Sequence, residues 1–183
     1  MQFLYLDTET TGFHQPRILS IAWNVHGSFM YRMGFFNPPC EISEGATAVH
    51  GITKDMLKNC KPFNESIDSV HLQKVLNESI LIAHMAAFDK RVLENEGLKV
   101  PKSLCTRDLS KEVLPGYSSY ALQDLREALK LEPEIESCAL PHTALGDVLI
   151  LKALFKTLTS GVYQEFGQKG IEDLIQNFIV SST

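Results

Sequence analysis

The stretch Phe3 to Phe13, FLYLDTETTGF, constrains the fold of this chain more than any other. QFLYLD reads as a strand buried on both faces, which places it inside a sheet and not at its edge. It runs into two carboxylates, Asp7 and Glu9, and then a Thr11-Gly12 turn. Residues two apart on an extended chain point to the same side, so the two acids converge at the end of this strand. Their repulsion has to be relieved by protonation, by basic partners or by a metal cation.

RILSIAWNV and SFMYRMGFF read as two further strands joined at His26-Gly27, so the chain opens with an antiparallel meander. NPPCEISEGATAVHGIT has the Pro, Gly and Ser density of a long connection. TKDMLKN is expected as a short helix capped by Thr53. NESIDSVHLQKVLNES is expected as a helix with Ile67, Val70, Val75 and Leu76 near its apolar stripe. ILIAH returns to strand. AAFDKRVLENEG then spaces Phe88, Val92 and Leu93 for a helix ending at Gly97. SLCTRDLSKEVLPG reads as a strand running into a helix stopped by Pro115-Gly116. SYALQDLREALKL and HTALGDVLILKALFKTL read as two more helices, and the tail places Ile171, Leu174, Ile175 and Phe178 on one helical face.

Early strands followed by alternating helices and strands imply an α/β fold, a mixed sheet with helices on its faces. With 183 residues, 44% of them hydrophobic, we expect one domain over 1–183 in which 160–183 is a helical tail packed on the core. No apolar run approaches the roughly 20 residues that cross a bilayer, and the N-terminal sequence has no basic leader. The expectation is a cytoplasmic protein without a membrane partner. Cys40, Cys60, Cys105 and Cys138 form no C-x-x-C pair, which argues for reduced thiols and against a zinc knuckle. A net charge of -5 excludes a protein that coats nucleic acid by general counterion release, but not one that grips a chain end at a local site.

Two further segments carry acids. In LIAHMAAFDKRVL, Asp89 opens a helix directly after a strand. In PHTALGDVLILKALF, His142 and Asp147 would lie about 140° apart on a regular helix, so they cannot serve one spot from its middle. His142 should therefore sit at or before the first turn, with Pro141 marking the start and Asp147 inside. An acid bordering so apolar a helix needs a partner or a cation.

DTETTG, AHMAAFD and HTALGD resemble, in order, the three motifs of the DnaQ-like family, the DEDDh 3′-to-5′ exonucleases, over Phe3 to about Phe155. HGIT and LCTRDLSKEVLPG belong to the same resemblance, and FDKRVL, LCTRDL and HTALGD come nearest to exonuclease X and the polymerase-associated proofreading subunits. The resemblance implies a ribonuclease H-like mixed five-stranded sheet flanked by helices. It implies that Asp7, Glu9, Asp89 and Asp147 hold two Mg²⁺ (or Mn²⁺), and that His142 is the general base. It implies that Thr8, Thr11, Gly12, Phe13 and His84 contact substrate, Phe13 as an apolar wedge against the terminal base, with Phe88 as core. His14, His26, His50 and His71 are read as surface or loop histidines. The activity implied is hydrolysis of single-stranded or unpaired DNA 3′ ends to nucleoside 5′-monophosphates. The same chemistry on RNA 3′ ends and a catalytically silent binding module are the alternatives; a DNA polymerase partner and a homodimer stay open. Met85 stands where the second motif commonly has asparagine, which removes an amide from that corner.

Overall fold

The computed structural model describes residues 2–181. Its sheet is built from β1 (Phe3–Thr10), β2 (Ile18–Val25), β3 (Tyr31–Phe35), β4 (Ile80–Ala83), β5 (Lys102–Cys105) and β6 (Val180–Ser181), in the order β3-β2-β1-β4-β5-β6. The mixed α/β sheet expected from the sequence is present, with a sixth strand that the five-strand expectation lacked. β6 is a two-residue antiparallel addition to β5, too short to carry a sequence signal.

The helices are α1 (Glu44–His50), α2 (Ile67–Glu78), α3 (Ala86–Asn95), α4 (Thr106–Val113), α5 (Leu122–Leu129) and α6 (Ala144–Phe178). They cover the sheet in two layers. Leu4 and Leu6 of β1 pack with Leu72 and Leu76 of α2 and with Val92 and Leu93 of α3. Tyr5, one residue out of phase, packs on the opposite face with Leu109, Leu125 and the apolar side of α6 from Val148 to Leu158. Alternation along one strand thus feeds both cores, as a strand buried on both faces requires.

Where β1 has neighbours decides where the site lies. Its antiparallel pairing with β2 continues to Thr10, but its parallel pairing with β4 spans only Phe3 to Tyr5. Beyond Tyr5 the flank of β1 is open to α3, which begins just after β4. Asp7 and Glu9 share the face of Tyr5, toward α6, whereas Thr8 faces the layer that contains α3.

Three local expectations are corrected. The connection after β3 holds α1, capped by Ser43, whose hydroxyl accepts from Ala46 N–H, and closed by Gly51 in the left-handed region. None of its residues is buried, so it shows no apolar stripe to read. Residues 54–59 form successive turns and no helix: Leu57 N–H bonds Lys54 O and Cys60 N–H bonds Leu57 O. In α2 the inward face is Ser69, Leu72 and Leu76, while Ile67 and Val70 are exposed. The tail after α6's first arm is helical, as its periodicity implies. Gly167, at φ 68°, breaks α6 into two arms, and Ile175 of the second arm is buried against Phe155 and its neighbours.

A buried ion pair ties the two ends of this frame together. Glu96, at the end of α3, accepts from Arg17 Nε and Nη2 at 2.8 and 2.9 Å and from the Ile18 N–H at 3.1 Å, fixing the start of β2. Removing one partner of a buried pair leaves the other charge uncompensated. Because the Arg17 side chain keeps 24% exposure, water relieves part of that penalty. We predict that Glu96→Ala lowers unfolding free energy by roughly 2–3 kcal/mol in urea titration, and that Arg17→Ala added to it costs little more.

Candidate active site

Four carboxylates meet beside the end of β1. Asp7, Glu9 and Asp147 place ligand oxygens within 4.8 Å of one another. Asp89 closes the group from the other layer, held by the Thr8 hydroxyl, which donates to its Oδ1 at 3.0 Å. Glu9, Asp89 and Asp147 are buried and Asp7 nearly so. No ion pair of the described residues ends on any of the four.

Burial is the main reason all four groups resist ionisation, and for Asp7 and Glu9 repulsion by the neighbouring carboxylates is the next. Asp7 is raised well above the usual carboxylate range by desolvation and then by Asp89, Asp147 and Glu9. Desolvation followed by Asp147 and Asp89 pushes Glu9 up to about 7. Asp89 is pushed up to about 7 by burial, against the stabilising Thr8 bond. Asp147 rises to about 6 through burial, partly offset by His142 and by Gln123. A buried all-oxygen set that repels itself suits a hard divalent cation of the Mg²⁺ type, which takes carboxylate oxygens and keeps other positions for water or phosphate.

The third motif is shaped by a loop that only glycine accommodates. Thr143 caps α6 by accepting from Gly146 N–H at 3.1 Å, and a Cβ on Gly146 would lie 1.9 Å from Leu140 O. This close turn lets Pro141 and His142 precede the helix, which starts at Ala144 and not at Pro141. His142 is exposed, holds φ 56°, and lines a cleft of about 500 Å³ together with all four acids. Asp147 sits one turn into α6, where Gln123 of α5 donates to its Oδ1 at 2.6 Å.

Beside this cleft a second cavity of about 300 Å³ runs over Thr8 to Phe13 and under Ala46 and Val49 of α1. Gly12 is needed there, because at φ 134° it brings the chain so near α1 that a Cβ would lie 2.8 Å from Ser43 Oγ. Phe13 is 80% exposed, so the wedge expected at this position is free of the core. Its ring meets that of Phe88 edge-on at 5.6 Å between centroids, and Arg91 donates to its carbonyl.

Other expected contacts are built differently. Phe88 is half-buried and lines both cavities, so it is a wall residue more than a core one. Thr11 is buried and serves the turn: its hydroxyl accepts from Arg17 N–H and its carbonyl from Ser43 N–H. His84 lines the cleft, yet Nδ1 meets Thr106 Oγ1 at 3.0 Å and Nε2 meets Tyr120 O at 2.8 Å, which commits both nitrogens to the frame. His26 touches Tyr5 OH, and His50 is half-buried with Nε2 on Thr10 O and Nδ1 accepting from Ile52 N–H. Gln123 was missed because no spacing links it to Asp147, and His50 because its neighbours in HGIT are a turn.

The raised pKa values of the four carboxyl groups set a sign for stability. Free of divalent cations, the native chain holds protons between about pH 4 and 7 that the unfolded chain has released, so stability falls as pH rises through that window. In EDTA, unfolding should therefore be easier at pH 8 than at pH 5. Asp89→Asn, whose amide oxygen still accepts from Thr8, should raise Tm by roughly 5 °C at pH 8 and by clearly less at pH 5 in calorimetry.

Comparison with known proteins agrees with this geometry. The family model described as Exonuclease (RNase T) matches residues 4–155. The chain is 30% identical over 167 residues to the 3′-5′ exonuclease DinG of Bacillus subtilis, with 84% of this chain matched but only 17% of that protein. It is 30% identical over 179 residues to the DNA polymerase III subunit epsilon of Buchnera aphidicola, covering 86% of this chain and 73% of the relative. Exonuclease X, solved in complex with 5′ overhanging duplex DNA, superposes with a TM-score of 0.75 at 27% identity, over 94% of this chain and 98% of that one. The three motifs therefore sit in a ribonuclease H-like exonuclease fold, and the chain belongs to the DnaQ-like exonuclease family.

Proposed function

We propose that the protein is a divalent-metal-dependent 3′-to-5′ exonuclease of the DEDDh type, acting on single-stranded or unpaired DNA 3′ ends. The observation that carries this reading is the group of four buried or partly buried carboxylates from three elements, on which no ion pair of the described residues ends, opening beside an exposed aromatic ring. A preference for DNA is supported by the DNA-bound exonuclease X and the polymerase subunit among its relatives.

Asp7, Glu9 and Asp147 would hold one Mg²⁺ or Mn²⁺ and share a second with Asp89. Such a pair, when bound, supplies Lewis acidity at the phosphodiester and neutralises charge on the leaving oxygen. The chain's own residues do the rest. Gln123 and Thr8 fix one oxygen each of Asp147 and Asp89, leaving the others for the cleft. His142, exposed on the cleft wall, takes the proton of the attacking water. Water oxygen bonds to phosphorus, the P–O3′ bond breaks, and the products are a nucleoside 5′-monophosphate and a strand one unit shorter with a free 3′-hydroxyl. Phe13 offers a face to the terminal base, and stacking of this kind is worth about 1–3 kcal/mol for any base. Glycine and main-chain groups of the Thr8 to Gly12 segment line the cavity in which that nucleotide would sit.

Digestion of a 5′-labelled single-stranded DNA tests the reading. The wild type with Mg²⁺ should give a ladder shortening from the 3′ end. The ladder should vanish for Asp7→Ala and in EDTA, and His142→Ala should lower kcat by about 10²–10⁴. Degradation of a matched RNA alone would overturn the DNA assignment, and no degradation of either would overturn the exonuclease.

A further inference from the structure

Arg107 lies in the first turn of α4, placed there when its N–H bonds His84 O at 3.3 Å. It is the single Lys or Arg among the residues lining the carboxylate cleft. Its Nε is buried and finds no acceptor, and it enters no ion pair among the described residues, although Asp89 and Asp124 line the same space. A buried donor without an acceptor is costly and uncommon. Arg107, whose charge is felt by the neighbouring Asp108, thus keeps hydrogen-bonding capacity unused, and a guanidinium matches the two-oxygen edge of a phosphate.

The position of Arg107 gives that phosphate an address. The Phe13–Phe88 contact divides the small cavity under α1 from the carboxylate cleft. A terminal nucleotide in the small cavity leaves the rest of the strand on the far side, where the cleft continues into a further depression of about 500 Å³. Met85, Phe88 and Arg107 line both the cleft and this continuation, and Met85 is 47% exposed. A polyanion crossing a wall of Asp7, Glu9, Asp89, Asp124 and Asp147 meets one Lys or Arg in the cleft, Arg107, at the passage into this continuation, whose further cation, Lys90, lies 3.8 Å from Glu94.

Resting on the exonuclease reading, we propose that Arg107 binds the backbone phosphate one or two linkages 5′ of the bond being cut, so that the strand leaves the site over Met85. The contact reads charge and not sequence, because phosphate contacts position a strand without distinguishing bases.

Oligonucleotides carrying a single neutral methylphosphonate at the first or second linkage 5′ of the scissile bond test this. The readout is the ratio of kcat/KM for the all-phosphate strand to that for the substituted strand, measured on one preparation so that partial unfolding cancels. For the wild type the ratio at one of these linkages should be about ten or more, the worth of a charge-assisted hydrogen bond. In Arg107→Met it should fall to near one at that linkage, and Arg107→Lys should keep part of it. A wild-type ratio near one at both linkages, or an Arg107→Met ratio equal to wild type, would overturn the assignment while leaving the exonuclease standing. A wild type that fails to shorten the all-phosphate strand would remove the exonuclease reading and this inference with it.

Discussion

The crowding of four carboxylates at the open flank of β1 is the constraint on which the rest of the molecule depends. Elsewhere in the core the strand is paired on both sides and packed on both faces, and those contacts hold the acids in place whether or not they are comfortable. The repulsion is distributed between layers: Asp89 arrives from the α3 side and Asp147 from the α6 side, steadied by the neutral side-chain donors Thr8 and Gln123 and by backbone N–H groups. Neutral donors orient a carboxylate without neutralising it, so the group keeps its appetite for cations. A lysine in place of Gln123 would satisfy the charge and spoil the site.

Positioning of the aromatic wall follows from a different part of the frame. The 10–17 loop is anchored at its far end by the Arg17–Glu96 pair and by Asn95, which donates to Pro16 O at 3.0 Å. Both acceptor and donor come from the end of α3, whose first turn supplies Phe88 and Asp89. One ten-residue helix thus fixes a carboxylate, a wall ring and the loop that presents Phe13. This coupling explains why an exposed phenylalanine can hold its place without core packing.

The elements that were legible in the sequence are those whose signals are local. β1, β2, β4, the strand-to-helix passage at Thr106 and the position of His142 ahead of its helix all follow from periodicity, turn residues and the 100° step of a helix. Asp7, Glu9 and Asp147 were legible because acids adjoining buried elements demand a partner, whereas the role of Asp89, an ordinary acid at a helix start, came only with the family resemblance. What stayed hidden was set by tertiary contact. α1 buries nothing and so has no stripe; α2 turns Leu72 and Leu76 inward because the sheet, not the count of apolar residues, selects its face. His84 reads as a substrate contact by its place in a motif, but its two ring nitrogens meet the Thr106 hydroxyl and the Tyr120 carbonyl. β6 exists only because the second arm of α6 ends beside β5.

The central claim is that the four carboxylates form a site for two divalent cations. Calorimetric titration of Mn²⁺ into the protein with a nucleoside 5′-monophosphate present tests it most directly. The account predicts two ions per chain for the wild type and loss of at least one in Asp147→Asn, with the fold retained by circular dichroism. Absence of Mn²⁺ binding by the folded wild type, or an Asp147→Asn isotherm identical to it, would contradict the account.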